Sequence, residues 1–394
     1  MAELSYAAKL TRRLVQCPSI TPAEAGSLEL LSAELEEMGF SCTRLPFGEG
    51  EARIDNLYAR WGDARSGESG PHFAFAGHVD VVPVGDMTSW QYPPFEGAVE
   101  AGKLYGRGTV DMKGGIAAFV AAVRATLASH PPKGAISLII TGDEEGEARN
   151  GTVKMVEWCQ EQGEQPDMIL VGEPTNPDKL GQTIKNGRRG SVTCFLKVMG
   201  RQGHVAYPHL ANNPMPGLME MLAPVNSQKL DKGTDYFDPS TAEITAIGAA
   251  EGANNVIPHY AHARFNIRFN TEHSAASLER WLRAHFEAVA KACDLTFEAR
   301  FESNASPFVT EPGQLTDWLA DAAEQVTGIR PTLSTTGGTS DARFLCKLAP
   351  VAEFGLVGKT MHQIDEHASL SDIDQLTAIY THLLQRVFQG EADG

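Results

Sequence analysis

The chain has no apolar run of the roughly 20 residues that a bilayer-spanning helix needs, so a membrane-embedded class is not expected. Its first residues, MAELSYAAKLTRRL, lack the continuous apolar core of an export leader and read as the start of an amphipathic helix. Cysteine is scarce and scattered: six residues, at 17, 42, 159, 194, 293 and 346, form no CxxC pair. A disulfide framework is therefore not expected, and a reducing, cytoplasmic setting is. Positive charge is also in deficit. With 33 Lys and Arg against 50 Asp and Glu, the formal net charge of −17 leaves no basic footprint for nucleic acid. An anionic ligand would have to be met by a local basic cluster set against the overall field. Repeats and low-complexity tracts are absent, and only residues 62–70 (GDARSGESG) and the closing EADG read as irregular.

What is present divides the chain. Its 394 residues exceed what one hydrophobic core ordinarily supports, so two domains are expected. From about residue 72 to 175, strand-like runs (HFAFAGHVDVV, GAISLIITG, DMILVGEP) alternate with helical patterns (DMKGGIAAFVAAVRATLASH, GTVKMVEWCQEQ). Ile116, Phe119, Val120, Val123 and Leu127 recur at helical spacing, so one face of that helix packs on a sheet. The alternation predicts an α/β catalytic domain with a mostly parallel central sheet flanked by helices. Ligands of such sheets collect at the carboxyl ends of the strands, where Asp80, Glu144, Glu145 and Glu173 fall.

Between about 190 and 302 the rhythm becomes strand (SVTCFLKVMG), helix (around 216–225), strand (TAEITAIGAA), strand (HARFNIRFN), helix (AASLERWLRAHFEAVAKAC) and strand (LTFEARFES). That order is the ferredoxin-like α+β motif, here an insert serving as a dimerisation or lid domain. The expected boundaries are 1–189 with 303–394 for the catalytic domain and 190–302 for the insert. A helix (TEPGQLTDWLADAAEQVTG), a strand (APVAEFGLVG) and a closing helix from Leu370 behind a Ser-Asp cap complete the chain.

The chemistry-bearing residues are spread from His78 to His362. His78 and Asp80 are two apart on a strand, so their side chains share a face. A metal-ligating imidazole commonly hands its second nitrogen to a carboxylate, a role that suits Asp80. A lone strand histidine is more often a core residue, and it is the company of Asp111 and Glu145 that changes this reading. Asp111, in GRGTVDMKGG, is framed by glycines that permit close backbone approach, although Asp is also a favoured helix N-cap. Asp143, Glu144 and Glu145 follow the apolar LIITG, and three adjacent acids repel one another unless a cation neutralises them. One neighbouring carboxylate can ligate a metal while the other takes a proton from water.

Taken together, AGHVDVVP, GRGTVDMKGG, TGDEEG, VGEPT and MHQIDEH resemble the M20 family of di-zinc amidohydrolases and peptidases. With SITPAEAG, IKNGRRGS, GRQGHVAYPHLANNP, ANNVIP and TTGGTSDARF, the resemblance spans essentially the whole chain. It implies two zinc ions per subunit, with cobalt as a substitute. His78 and Glu173 would hold one ion, Glu145 and His362 the other, and Asp111 would bridge them. The resemblance assigns Glu144 as general base and Asp80 as the partner of His78. It also implies a cis peptide between Asp111 and Met112, and it prefers His362 over His367 as the last ligand. His204, in GHVAYP, would reach the site from the second subunit of a homodimer and stabilise an oxyanion. Read without the family, His204 is a turn histidine before Tyr207 and Pro208.

The resemblance is greatest to members that cleave a succinyl amide from an anionic amino acid, which implies a small anionic acyl-amino-acid substrate. Lys185 and Arg188 in IKNGRRGS, Arg268, Tyr207 and Asn254 match substrate-contact positions, with Asn254 also supplied in trans. Guanidinium groups match carboxylates well, and Thr336 and Gly337 lie in a loop whose backbone N–H groups suit a carboxylate. The chain departs from those members at Gly358, where they usually carry an asparagine. Another hydrolase of the family, such as an acetylornithine deacetylase, an aminoacylase or a carboxypeptidase, therefore stays open. A non-catalytic zinc-binding protein is disfavoured by the intact Glu144, Asp80 and His204.

Overall fold

The structure, a computed structural model, describes residues 3–62, 70–129, 131–227 and 229–389. Apart from Gly62 and Gly70, the two tracts expected to be irregular lie outside these residues. The chain divides into two compact units: Met1–Gly187 with Thr310–Ser334 and Ser340–Gly394, and Arg188–Val309 with Thr335–Thr339.

In chain order the first unit contains α1 (Tyr6–Val15), α2 (Ser27–Glu36), β1 (Ser41–Phe47), β2 (Ile54–Trp61), β3 (His72–His78), α3 (Gly114–Ser129), β4 (Ala135–Thr141), α4 (Thr152–Gln162), β5 (Met168–Val171) and β6 (Thr183–Lys185). The second unit contributes β7 (Gly190–Met199), α5 (Pro214–Ser227), β8 (Thr241–Ala249), β9 (Tyr260–Phe269), α6 (Ala275–Cys293) and β10 (Thr296–Ala305). The chain returns to the first unit with α7 (Gln314–Thr327), β11 (Thr332–Ser334), β12 (Val351–Glu353) and α8 (Leu370–Gln389).

The sheet of the first unit has eight strands in the order β1-β2-β4-β3-β5-β12-β6-β11. Its centre, β4-β3-β5-β12, is parallel, whereas β1, β2 and the β12–β6 contact are antiparallel. Every residue of β3, β4 and β5 is buried, which is why these strands read as unbroken apolar runs and not as alternating patterns. Ile116, Phe119, Val120 and Val123 of α3 are fully buried, while Leu127 at the end of the stripe is only partly so. Phe119 stacks on Phe75 of β3 at 4.2 Å, and Tyr380 of α8 meets Phe119 edge-on. Each such side chain contributes about 1.5–3 kcal/mol by leaving water. The Tyr380 hydroxyl donates to the Phe354 carbonyl at 2.5 Å, so the ring carries its polar atom inward without penalty.

The sheet of the second unit runs β8-β9-β7-β10, antiparallel throughout. Leu218, Met221 and Leu222 of α5 and Leu278, Leu282 and Phe286 of α6 share a core with Val192, Leu196, Phe265 and Ile267. Ser274 and Ser277 cap α6 reciprocally. This unit is larger than the expected 190–302 at both ends. Pairing of β10 with β7 continues to Ala305 opposite Ser191, and Arg188 donates to the Gly338 carbonyl at 3.2 Å. Residues 303–309, 188–189 and 335–339, expected in the catalytic domain, therefore belong with the insert.

All six cysteines are free thiols. Among the described residues, no helix is long and apolar enough to cross a membrane.

Candidate active site

Three parallel strands end at one place. His78 is the last residue of β3, Glu144 and Glu145 follow β4 after a short turn, and Glu173 stands two residues beyond β5. Asp111 comes from the turn Thr109–Lys113 that leads into α3. That turn fits because α3 approaches closely: a Cβ on Gly115 would stand 2.4 Å from the Gly172 carbonyl oxygen. Glycine at 115 thus lets the start of α3 abut the backbone beside Glu173. The Asp111–Met112 peptide is cis.

Asp111 is the centre of the cluster. Its Oδ1 lies 3.0 Å from His78 Nε2, which is 3.6 Å from Glu173 Oε1. Its Oδ2 lies 3.3 Å from His362 Nε2, which is 2.8 Å from Glu145 Oε1. Each carboxylate oxygen of Asp111 therefore faces a different His-Glu pair. Ligating atoms of His78, Glu144 and Glu173 lie within 4.8 Å of one another, as do those of His78, Asp111 and Glu145.

The electrostatics are those of an anion cluster short of positive charge. Among the described residues, no lysine or arginine pairs with Asp111, Glu144, Glu145 or Glu173. Burial pushes the Glu144 carboxyl well above its ordinary range; the His78 imidazole opposes this, and the charges of Asp341, Glu145 and Asp111 add to it. Burial and then the Asp111 charge do the same to Glu173. Asp111 moves the other way. Burial alone would raise it, but hydrogen bonds from His362 and His78 hold it below the usual carboxylate range. His362 is pushed up to about 10 by its hydrogen bonds to Asp111 and Glu145. Burial disfavours a charged His78, yet its bonds to Asp111 and Asp80 outweigh this and raise it well above the ordinary value. Two imidazoles and clustered carboxylates in this state are a donor set for divalent cations, which would take the place of the protons.

Asp80 does something the spacing did not predict. It lies past the end of β3, and it is its backbone carbonyl that meets His78 Nδ1, at 2.9 Å. The carboxylate Oδ1 stands 3.6 Å from that nitrogen and also accepts from the Glu144 N–H at 3.2 Å, while Oδ2 accepts from the Glu145 N–H at 3.0 Å. Asp143 is not part of the cluster; its carboxylate caps the turn, accepting from Arg149 and Asn150. His367 lies apart, its ring beside Tyr105 and its Nδ1 at the Asp365 carbonyl.

The remaining expected contacts fall in two places. Lys185, at the end of β6 in the first unit, donates to Ser334 at 3.0 Å. His204, Tyr207, Asn254, Arg188, Arg268, Thr336 and Gly337 all belong to the second unit. His204 is exposed, its Nδ1 accepting from the Ala206 N–H at 3.1 Å, with Tyr207 and Asn254 exposed as well. Arg188 is buried over Gly337, which has φ 105° and where a Cβ would stand 2.8 Å from the guanidinium. Burial and then the charge of Arg189 hold Arg268 below its ordinary value, so the two guanidinium charges act on one another.

Several participants were not legible from spacing. Asp341 and Glu353 are buried acids on segments far from TGDEEG in sequence, and the charge of Asp341 reaches Glu144. Arg107 and Glu366, buried and paired at 2.7 Å, flank two of the cluster's residues. Arg107 lies inside the GRGTVDMKGG motif of Asp111 and Glu366 inside the MHQIDEH motif of His362, but nothing in either segment announces the partner.

The model of peptidase family M20/M25/M40 matches residues 74–386. The chain is 53% identical over 383 residues, 97% of each protein, to the succinyl-diaminopimelate desuccinylase of Rhodospirillum centenum. Its fold resembles that of the aminopeptidase PepT of Bacillus cereus, with TM-score 0.78 at 18% identity over 98% of this chain and 99% of that one. It also resembles the Bacillus subtilis YXEP protein, described as a dinuclear metal-binding peptidase of the M20 family, with TM-score 0.70 at 16% identity over 97% and 98% of the two chains.

Proposed function

The chain belongs to peptidase family M20/M25/M40, and from that premise we propose that it hydrolyses the succinyl amide of N-succinyl-LL-2,6-diaminopimelate, releasing succinate and LL-2,6-diaminopimelate for diaminopimelate and lysine synthesis. Its likeness to a named desuccinylase over nearly the whole length supports the substrate. The observation that carries the metal centre is the division of Asp111: Oδ1 faces His78 and Glu173, Oδ2 faces His362 and Glu145. These five residues would hold two zinc ions, or cobalt in their place, with Asp111 shared. Bound there, the ions supply Lewis acidity that acidifies water and polarises the amide carbonyl.

Glu144 accepts the proton of the attacking water and returns it to the departing amine. Its carboxyl is buried among other acids, and among the described residues no lysine or arginine pairs with it, which favours a group that readily carries a proton. Asp80 keeps the Glu144–Glu145 backbone in place. His204 and Asn254 of the partner subunit complete the site in a cytoplasmic homodimer, His204 donating to the developing oxyanion; one such donor is typically worth about 3 kcal/mol. Arg188, Arg268, Tyr207, Lys185 and the backbone at Thr336 and Gly337 receive the substrate's carboxylates.

The absence of a side chain at Gly358 favours one second reading, a relative with a different acyl specificity. Turnover of N-succinyl-LL-diaminopimelate is compared with that of N-acetylornithine after chelation and stepwise return of zinc. Preference for the succinyl substrate, restored by zinc, supports the proposal. Preference for the acetyl substrate overturns it.

A further inference from the structure

The buried pair Arg107–Glu366 grips two loops at the backbone of the residues that face each other in the cluster. Glu366 Oε1 accepts from the N–H of Val110 at 3.0 Å and of Asp111 at 3.3 Å. Its other oxygen takes Arg107 Nη1 at 2.7 Å. Arg107 in turn donates to the carbonyl of Gln363 at 3.1 Å and to that of His362 at 3.4 Å. The Glu366 carbonyl accepts from the Gly106 N–H at 2.8 Å, closing the ring of contacts. Trp90 lies beneath the guanidinium at 5.2 Å and shields it from water.

His362 needs such a hold. Its φ is 61° and that of Asp365 is 55°, left-handed conformations that non-glycine residues keep only where surrounding contacts impose them. The His362 side chain is 47% exposed, so packing does little to fix it. A carbonyl pinned by a planar guanidinium, which is itself pinned by a carboxylate bonded to the Asp111 N–H, supplies the constraint from behind. We infer that the Arg107–Glu366 ion pair is a positioning device that sets the placement of His362 against Asp111, and so the affinity of the metal position those two residues share with Glu145. The inference rests on the two-metal reading above. A pair that merely stabilised the fold would have no reason to favour one metal position over the other.

The test is calorimetric titration of the metal-free full-length protein with cobalt(II), with visible absorption followed in parallel. The variants are Glu366→Gln and Arg107→Lys, which keep the side-chain length, because truncation of either partner would also leave a buried void and threaten folding. His362→Ala identifies which binding step uses that histidine, and far-UV circular dichroism checks the fold. The expected result is two steps in the unaltered protein, with the step that His362→Ala removes weakened about 10–100-fold in both conservative variants, as for other residues that orient metal ligands. The other step shifts by a far smaller factor. Equal weakening of both steps, no weakening of either, or loss of the fold in both variants overturns the inference while leaving two metals in place. A single step in the unaltered protein, unaffected by His362→Ala, overturns the two-metal reading itself and the inference with it.

Discussion

The Oδ2 atom of Asp80 accepts the backbone N–H of Glu145 at 3.0 Å, tying the end of β3 to the turn after β4. Oδ1 does the same for Glu144 at 3.2 Å. Asp80 is fully buried, so its carboxylate has no water to turn to. Asp80→Asn keeps the shape but sets an amide NH2 against one of the two donors. The expected loss is about 1–3 kcal/mol of stability, the usual penalty for a buried group left unpaired. Urea unfolding of the chelated protein measures it free of any metal contribution, and an unchanged midpoint would refute the clamp.

Glu144→Ala is expected to lower kcat by about 10²–10⁴, the range for loss of a general acid–base group. Metal content should be retained, since Asp111, His78, Glu173, Glu145 and His362 are untouched. Hydrolysis within a few-fold of the unaltered protein, with metal retained, would remove Glu144 from the mechanism.

Metal uptake should release protons. In the metal-free protein the hydrogen bonds of His362 to Asp111 and Glu145 push its imidazole up to about 10, and His78 is also raised, its bonds to Asp111 and Asp80 outweighing burial. Both imidazoles carry a proton at neutral pH and must lose it to ligate. Calorimetry at pH 7 in buffers of different ionisation enthalpy should show release of about two protons or more per chain. No dependence on the buffer would contradict the arrangement.

The same group gives the metal-free protein a pH dependence of stability. A raised folded-state value means that the His362 contribution is fully present below its unfolded value of 6.5 and is lost as pH rises towards about 10. The side chain is half-exposed, so solvent screens the effect. Thermal melts of the chelated protein should therefore fall more between pH 7 and 10 than those of His362→Ala. Parallel curves would count against the ion pair.

Gly115→Ala should disturb the site from a distance. The added Cβ would stand 2.4 Å from the Gly172 carbonyl oxygen, and backbone there cannot yield as a side-chain tip can. A loss of about 1–3 kcal/mol is expected for such overpacking, together with weaker metal binding through displacement of Glu173. Unaltered melting and metal affinity would show that the contact relaxes freely.

The sequence by itself determined the layers and most of the cluster's membership. Strands buried on both faces must be apolar throughout, and HFAFAGH, AISLIIT and MILV are; the acids and the histidine placed after them lie at strand ends because a parallel sheet puts them there. Asp111 and Glu145 stood out because glycine-framed or clustered polar residues beside apolar runs are locally visible, whereas His362 was preferred to His367 only through the family resemblance. What the tertiary structure decided was pairing across long separations. It set which oxygen of Asp111 faces which His-Glu pair, gave the Asp80 carboxylate to the Glu144–Glu145 backbone and its carbonyl to His78, and moved residues 188–189, 303–309 and 335–339 into the insert. The Arg107–Glu366 bond, spanning 259 positions, belongs here too. Local pattern encodes period and burial, whereas a hydrogen bond depends on distance and direction between groups that only the folded chain brings together.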